Sequence, residues 1–311
     1  MDLLIAAAAA ATIVAACGTN STPTQPTNSG GGSGTCTPPA NTPPVIASIT
    51  AQGTRANEPA DFADVGESIP ITTVVQDAET PVDQLQLTWT ATAGTFSGSG
   101  TSVTWQAPAS GAVSTPMDVA ITLTVVENYG CAGQAPTFKN TVSATHTISL
   151  HDSVAEVGGM ARQFLLDFSD STITDVSYIM RNFDLTCSQA QDEASQVALN
   201  RQHFHIDSWN IGAATVTVPF GDSLCLIPGR TQRGDACSST PSHWQSTIIV
   251  GPERGDVQVA DGVDWVSAYY RSPLDAWKLC DSQFPGTCSD VTAGTPCPSD
   301  MFPSMVPGRI K

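Results

Sequence analysis

Val119-Ala120-Ile121-Thr122-Leu123-Thr124-Val125-Val126 alternates branched apolar residues with small or hydroxylated ones. Successive residues of a strand point to opposite faces, so Val119, Ile121, Leu123 and Val125 share one face and Ala120, Thr122 and Thr124 the other. The pattern is that of a strand with one face in a core and one toward water.

Outward from this stretch, similar short runs recur. They are Val45-Ile46-Ala47-Ser48-Ile49-Thr50, positions 69–75, Leu85-Gln86-Leu87-Thr88-Trp89, Ser102-Val103-Thr104-Trp105 and positions 142–150, separated by turn-forming clusters. Six or seven strands at this spacing, with period-two alternation and no helical periodicity, predict an all-β antiparallel sandwich over 43–150. Several stretches together carry a family likeness: Pro43-Pro44-Val45-Ile46, the turn Asp77-Ala78-Glu79-Thr80-Pro81, Leu87-Thr88-Trp89, Gly94-Thr95-Phe96, Val103-Thr104-Trp105, and Thr122 through Val126 with Asn128-Tyr129-Gly130 after it. The set resembles bacterial immunoglobulin-like domains of the polycystic-kidney-disease and cadherin-like kind, over about a third of the chain. The resemblance implies a spacer or adhesion module with Trp89 as its core tryptophan. In the same region Asp77, Glu79 and Asp83 cluster at a turn, the donor type that calcium needs, although solvated turn acids look the same in sequence.

After Leu150 the period changes. Positions 154–169 place Val157, Met160, Ala161, Phe164, Leu165 and Phe168 on one helical face, and 174–183 repeat this with Val176, Ile179, Met180 and Phe183. A third helix is expected over 188–204, with Ser188 as N-cap. Strands follow: 206–220, 222–227, and a hairpin from 244–250 returning as Val257-Gln258-Val259. Helices followed by a curved antiparallel sheet predict an α+β domain over 152–311.

Ala161-Arg162-Gln163-Phe164-Leu165, Asp175-Val176-Ser177-Tyr178-Ile179-Met180 and Trp244-Gln245-Ser246-Thr247-Ile248-Ile249-Val250 resemble, over roughly 110 residues, the nuclear-transport-factor-2-like cone of the SnoaL-like and ketosteroid-isomerase-like proteins. The resemblance implies helices closing a bent sheet around a pocket, with an Asp or His base and a Tyr or Asp donor. His203, His205, Asp207, Tyr178 and His243 are the residues of those types offered here. A histidine at a helix end also serves simply to meet the last carbonyls.

Toward the N-terminus, positions 3–16 (LLIAAAAAATIVAA) form an apolar run shorter than the roughly 20 residues that span a bilayer and close to the core of an export signal. It ends in Val14-Ala15-Ala16-Cys17, which resembles the bacterial lipobox; the likeness implies lipidation of Cys17 and, with Gly18 next, sorting to the outer membrane. Met1-Asp2 lacks the positive charge that opens such signals, so the expected start lies further upstream. Positions 18–42 hold no large apolar residue and are expected to be a disordered tether.

Composition agrees with an exported, strand-rich chain. Of 311 residues only 13% are charged, and 25 are Gly and 22 Pro. The net charge of −17 is spread as −8 before His151 and −9 from there on, which disfavours nucleic acid as a partner. Setting Cys17 aside, eight cysteines remain at 36, 131, 187, 225, 237, 280, 288 and 297, an even number that reads as disulfides in an oxidising compartment. Their spacing lacks the paired pattern of a zinc site. The local pairs expected are Cys36 with Cys131, Cys225 with Cys237, and Cys280 with Cys288 or Cys297.

No nucleophile elbow, metalloprotease helix, phosphate loop or dinucleotide fingerprint occurs. The expectation is therefore a multidomain, non-enzymatic cell-envelope lipoprotein without a cofactor. It would be held to the membrane by its lipid and present a domain for a small-molecule or protein ligand on an immunoglobulin-like spacer. An isomerase- or hydrolase-type enzyme and a structural or adhesive envelope protein are the alternatives.

Overall fold

The computed structural model describes residues 37 to 290 except positions 38, 56, 132–134, 220–223, 232, 253, 272–275 and 285–286. The export segment with Cys17, most of the tether, Cys36 and Cys297 lie outside the described residues, as does the side chain of Cys288. Strands dominate the described chain.

The N-terminal half holds β1 (Val45–Ala51), β2 (Phe62–Asp64), β3 (Ser68–Gln76), β4 (Gln86–Ala91), β5 (Thr95–Ser99), β6 (Ser102–Gln106), β7 (Met117–Tyr129) and β8 (Phe138–His151). They form two four-stranded sheets, β1-β3-β6-β5 and β2-β8-β7-β4. The alternation of the opening stretch holds along all of β7: Val119, Ile121, Leu123 and Val125 are fully buried. Val119 and Ile121 cluster with Ile69 and Ile71 of β3, Val103 and Trp105 of β6, and Ile148 and Leu150 of β8, while Leu123 and Val125 form a second cluster with Val75 and Leu85.

The tryptophan at the centre is Trp105, fully buried with its Nε1 donating to Ala93 O at 3.0 Å; Trp89, expected there, is only half-buried and donates to Gly100 O. The strand β2 was not legible, because three residues carry no periodicity; it pairs parallel with the end of β8. At the turn into β5, Gly94 has φ +79°, and a Cβ there would lie 2.5 Å from both Gln106 O and the Trp105 ring nitrogen, so only glycine fits.

β8 runs without a linker into α1 (Ser153–Ser169), whose N-cap Asp152 accepts from Ala155 N at 3.0 Å. α2 (Val176–Ile179) and α3 (Ser188–His203) follow, then β9 (Phe204–Ile211), β10 (Thr215–Thr217), β11 (Cys225–Leu226), β12 (Arg233–Gly234), β13 (Ala236–Ile248), β14 (Val257–Arg271), β15 (Ala276–Gln283) and β16 (Thr287–Asp290). The main sheet runs β10-β13-β14-β15, with β9 beside the second half of β13 and β16 beside the first half of β14. α1 packs Val157, Ala161, Phe164 and Leu165 onto this sheet.

Several boundaries differ from the sequence reading. The helix expected over 174–183 lasts four residues: Asp175 caps it, but Met180 already leaves helical geometry, and Met180 and Phe183 reach the core from turns. α3 is capped by Cys187 rather than Ser188, and no side chain completes that cap. The strand expected over 206–220 splits into β9 and β10, because at Gly212 the chain turns to donate to Pro241 O at 2.8 Å. Of 222–227 only Cys225–Leu226 is strand among the described residues.

Two disulfides lie among the described residues of this half. Cys225–Cys237 closes a short loop as expected, whereas Cys280 bonds Cys187 and not Cys288 or Cys297, tying the start of α3 to β15. Proximity in sequence misled here: α3 folds back over the sheet and brings together cysteines 93 residues apart. Cys131 is also disulfide-bonded.

The two halves share a seam. Phe62 of β2 belongs to the core of the C-terminal half, stacked on His151 at 4.7 Å and edge-on to Tyr270 at 4.4 Å. Arg55, over the Phe62 ring, bonds both Glu58 and Asp64 at 2.8 Å, and Asp64 accepts from Ser153 N across the seam. Burial pushes the Glu58 carboxyl up to about 7, against the lowering pull of Arg55. No helix among the described residues is long and apolar enough to cross a membrane.

Candidate functional site

The inward side chains of β13 are Ala236, Ser238, Thr240, Ser242, Trp244, Ser246 and Ile248, all buried. A buried strand face is ordinarily aliphatic; here four of seven positions carry hydroxyls. Register sets Asp264 of β14 opposite Thr240, and the carboxylate Oδ2 of Asp264 accepts from Ser242 Oγ. Ser238 Oγ and Thr240 Oγ1 have no hydrogen-bonding partner, nor has Gln196 Oε1 of α3. Each unmet buried polar group costs about 1–3 kcal/mol, so this strip is held at the expense of stability.

Two carboxyls are perturbed here. Burial drives Asp264 well above the ordinary carboxylate range; the Ser242 hydrogen bond opposes this and the charge of Glu193 adds to it. Glu193, on α3, is pushed up to about 7 by burial and the charge of Asp281, with Arg230 pulling the other way. Asp281 itself is buried and paired to Arg230 Nε at 3.0 Å. Carboxyls in this state hold a proton near neutrality and can donate a hydrogen bond as well as accept one.

Further along the same face, Phe168, Asn200, Arg201, Phe204, Ile206, Trp244 and Ser246 line a pocket between the ends of α1 and α3 and the sheet. Trp244 is fixed by its Nε1 donating to Ser169 Oγ at 3.0 Å and by edge contacts with Phe168 at 5.8 Å and Phe284 at 4.9 Å. Arg201 Nη2 donates to the carbonyls of Asp167, Phe168 and Asp170 at 2.8, 2.8 and 2.9 Å, meeting the orphan carbonyls at the end of α1.

The residues singled out from sequence lie elsewhere. On β9, Phe204 and Ile206 point inward, so His205 and Asp207 point outward; His205 Nδ1 sits 3.1 Å from Asp207 Oδ1, and Asp207 Oδ2 accepts from Thr247 Oγ1. His243 faces outward from β13 against Asp261 at 2.6 Å, its directly opposed neighbour on β14. His203 Nδ1 meets Leu199 O at 2.9 Å. Tyr178 is 49% exposed beneath the Arg181 guanidinium. These side chains do not converge on the inner face.

In the N-terminal half, Asp77 Oδ1 accepts from the backbone N–H groups of Glu79 and Thr80, and Glu79 accepts from Thr42, while Asp83 sits in a separate short turn. Among the described residues no three His, Cys, Asp or Glu side chains are grouped so as to hold a metal.

Ser238, Thr240, Ser242, Asp264, Glu193 and Arg201 escaped the sequence reading. The one available signal was the spacing Ser238-x-Thr240-x-Ser242-x-Trp244-x-Ser246, in which Trp244 marks the inward phase. No family model, curated protein or solved structure matches this chain.

Proposed function

We propose that this chain is a binding protein of the bacterial cell envelope. It is lipidated at Cys17, its N-terminal half is an immunoglobulin-like spacer, and its C-terminal half is an α+β cone of the nuclear-transport-factor-2-like kind that takes a small molecule. The linkerless passage from β8 into α1 and the shared Phe62 packing support a spacer that holds the distal domain at a fixed angle.

The observation that carries the binding reading is the pair of unpartnered hydroxyls, Ser238 and Thr240, buried beside the protonatable Asp264 on the same strand face as the aromatic pocket. Buried polar groups without partners mark places where water or a ligand completes the bonding. The fitting ligand has a ring or short apolar body and a hydrogen-bonding group.

Two arms test this. Calorimetric titration with 2-phenylethanol, a ring bearing one hydroxyl, is expected to show saturable binding, weakened several-fold by Trp244→Ala; no detectable heat sinks the binding reading. Fractionation is expected to move the Cys17→Ala protein from membranes to the soluble fraction, and unchanged sedimentation sinks the anchor. An isomerase- or hydrolase-type enzyme has one specific support, the two carboxyls Asp264 and Glu193 held in the protonated range, and would shift the acid-base role inward from Asp207 and His205.

A further inference from the structure

The described arginines differ in what they face. Arg55, Arg181, Arg230 and Arg271 each face a carboxylate at ion-pair distance. Arg201 faces only carbonyl oxygens, through Nη2, while its Nε is buried without an acceptor and the residue lines the aromatic pocket. Asp170 is the charge that reaches it, and the Asp170 Oδ1 is spent on Thr172, from whose N and Oγ1 it accepts at 2.9 and 2.6 Å.

We propose that this pocket is a carboxylate site, in which a small aromatic or aliphatic acid sets its carboxylate against the Nε of Arg201 and its apolar body among Phe168, Phe204, Ile206 and Trp244. The proposal rests on the reading that the C-terminal half binds a small molecule, and it names the class.

The helix-capping duty of Arg201 needs Nη2 alone and leaves the Nε–H unexplained. A buried N–H on a cation is a costly group to leave unbonded, and a carboxylate is the acceptor that restores both the hydrogen bond and the charge balance. The walls offered to the remainder of such a molecule are aromatic and aliphatic, with Trp244 and Phe168 held edge to face. With a net charge of −17 the protein as a whole repels anions, which makes a guanidinium held outside the ion pairs of the described residues the feature that can select one.

The test compares phenylacetate with 2-phenylethanol by calorimetric titration into the full chain. Phenylacetate is expected to bind at least tenfold tighter, and Arg201→Gln to abolish that preference. Because Arg201→Gln also removes the cap of α1, Asn200→Asp serves as a second variant: it leaves Arg201 and its carbonyl bonds in place and sets a negative charge in the pocket lining. It is expected to weaken phenylacetate at least tenfold while leaving 2-phenylethanol within about twofold. Equal affinity for the two probes in the native protein, or an Asn200→Asp protein that binds phenylacetate unchanged, overturns the carboxylate site while leaving the binding reading intact. Absence of binding by either probe overturns both.

Discussion

β7 and β13 are each 13 residues long, each alternates in burial, and each runs through the middle of its half of the molecule, yet their inward faces have opposite character. β7 presents Val119, Ile121, Leu123 and Val125; β13 presents Ser238, Thr240, Ser242, Trp244 and Ser246. The first is what selection for a stable core produces. On the second, the hydroxyls give up apolar burial, and two of them gain no hydrogen bond in return. A strand face that is worse than it could be for folding is the physical mark of a surface kept for something else.

The sharpest way to break the comparison is to truncate both faces. Leu123→Ala should lower the unfolding free energy by about 3 kcal/mol, within the range seen for buried leucines, because it opens a cavity among fully buried neighbours. Urea unfolding followed by far-ultraviolet circular dichroism measures this, and a loss below about 1 kcal/mol would mean that the β7 face is less tightly packed than its burial indicates.

Thr240→Val should act in the other direction. It keeps the shape and removes a hydroxyl that has no partner, so a gain of about 1 kcal/mol is expected. The same denaturation experiment decides it. A destabilised Thr240→Val protein would mean that the hydroxyl is bonded after all, through water, and that the strip is a satisfied network.

The contrast also explains what could be read in advance. β7 announces itself because its polar and apolar residues segregate by parity, which fixes strand, face and sheet position in eight residues. β13 does not: Ala236-Cys237-Ser238-Ser239-Thr240-Pro241-Ser242-His243 has no apolar parity, and Pro241 argues against a central strand. The structure accommodates that proline at the place where the neighbour on one side changes from β10 to β9. Only from Trp244 onward did the pattern declare a strand, so the hairpin was foreseen at half its length. His205, Asp207 and His243 drew notice because reactive side chain types are visible in sequence. The facing of Thr240 by Asp264, and the reach of the Glu193 charge on α3 to Asp264, are products of packing across tens of residues and have no local signature.

A last difference concerns protons. The one ionisable group on the buried β7 face, Glu127 at its end, has its carboxylate met by Asn41, Thr80 and Asn140, whereas the strip on β13 lies beside Asp264 and Glu193, whose carboxyls are pushed up. With the folded pKa of Glu193 raised from an ordinary 4.5 to about 7, the folded protein holds a proton that the unfolded chain has released through that interval. Its contribution is therefore whole below about pH 4.5 and declines as pH rises toward 7. Asp264 acts with the same sign, and Glu58 at the seam does too. Glu193→Gln cannot lose that proton, so its stability should match the native protein at pH 4.5, exceed it at pH 8, and show a shallower decline between. Urea midpoints across that range read the slope directly; parallel slopes in the two proteins would mean that Glu193 is solvated and ionised at neutrality, and would remove one of the two carboxyls from the interior site.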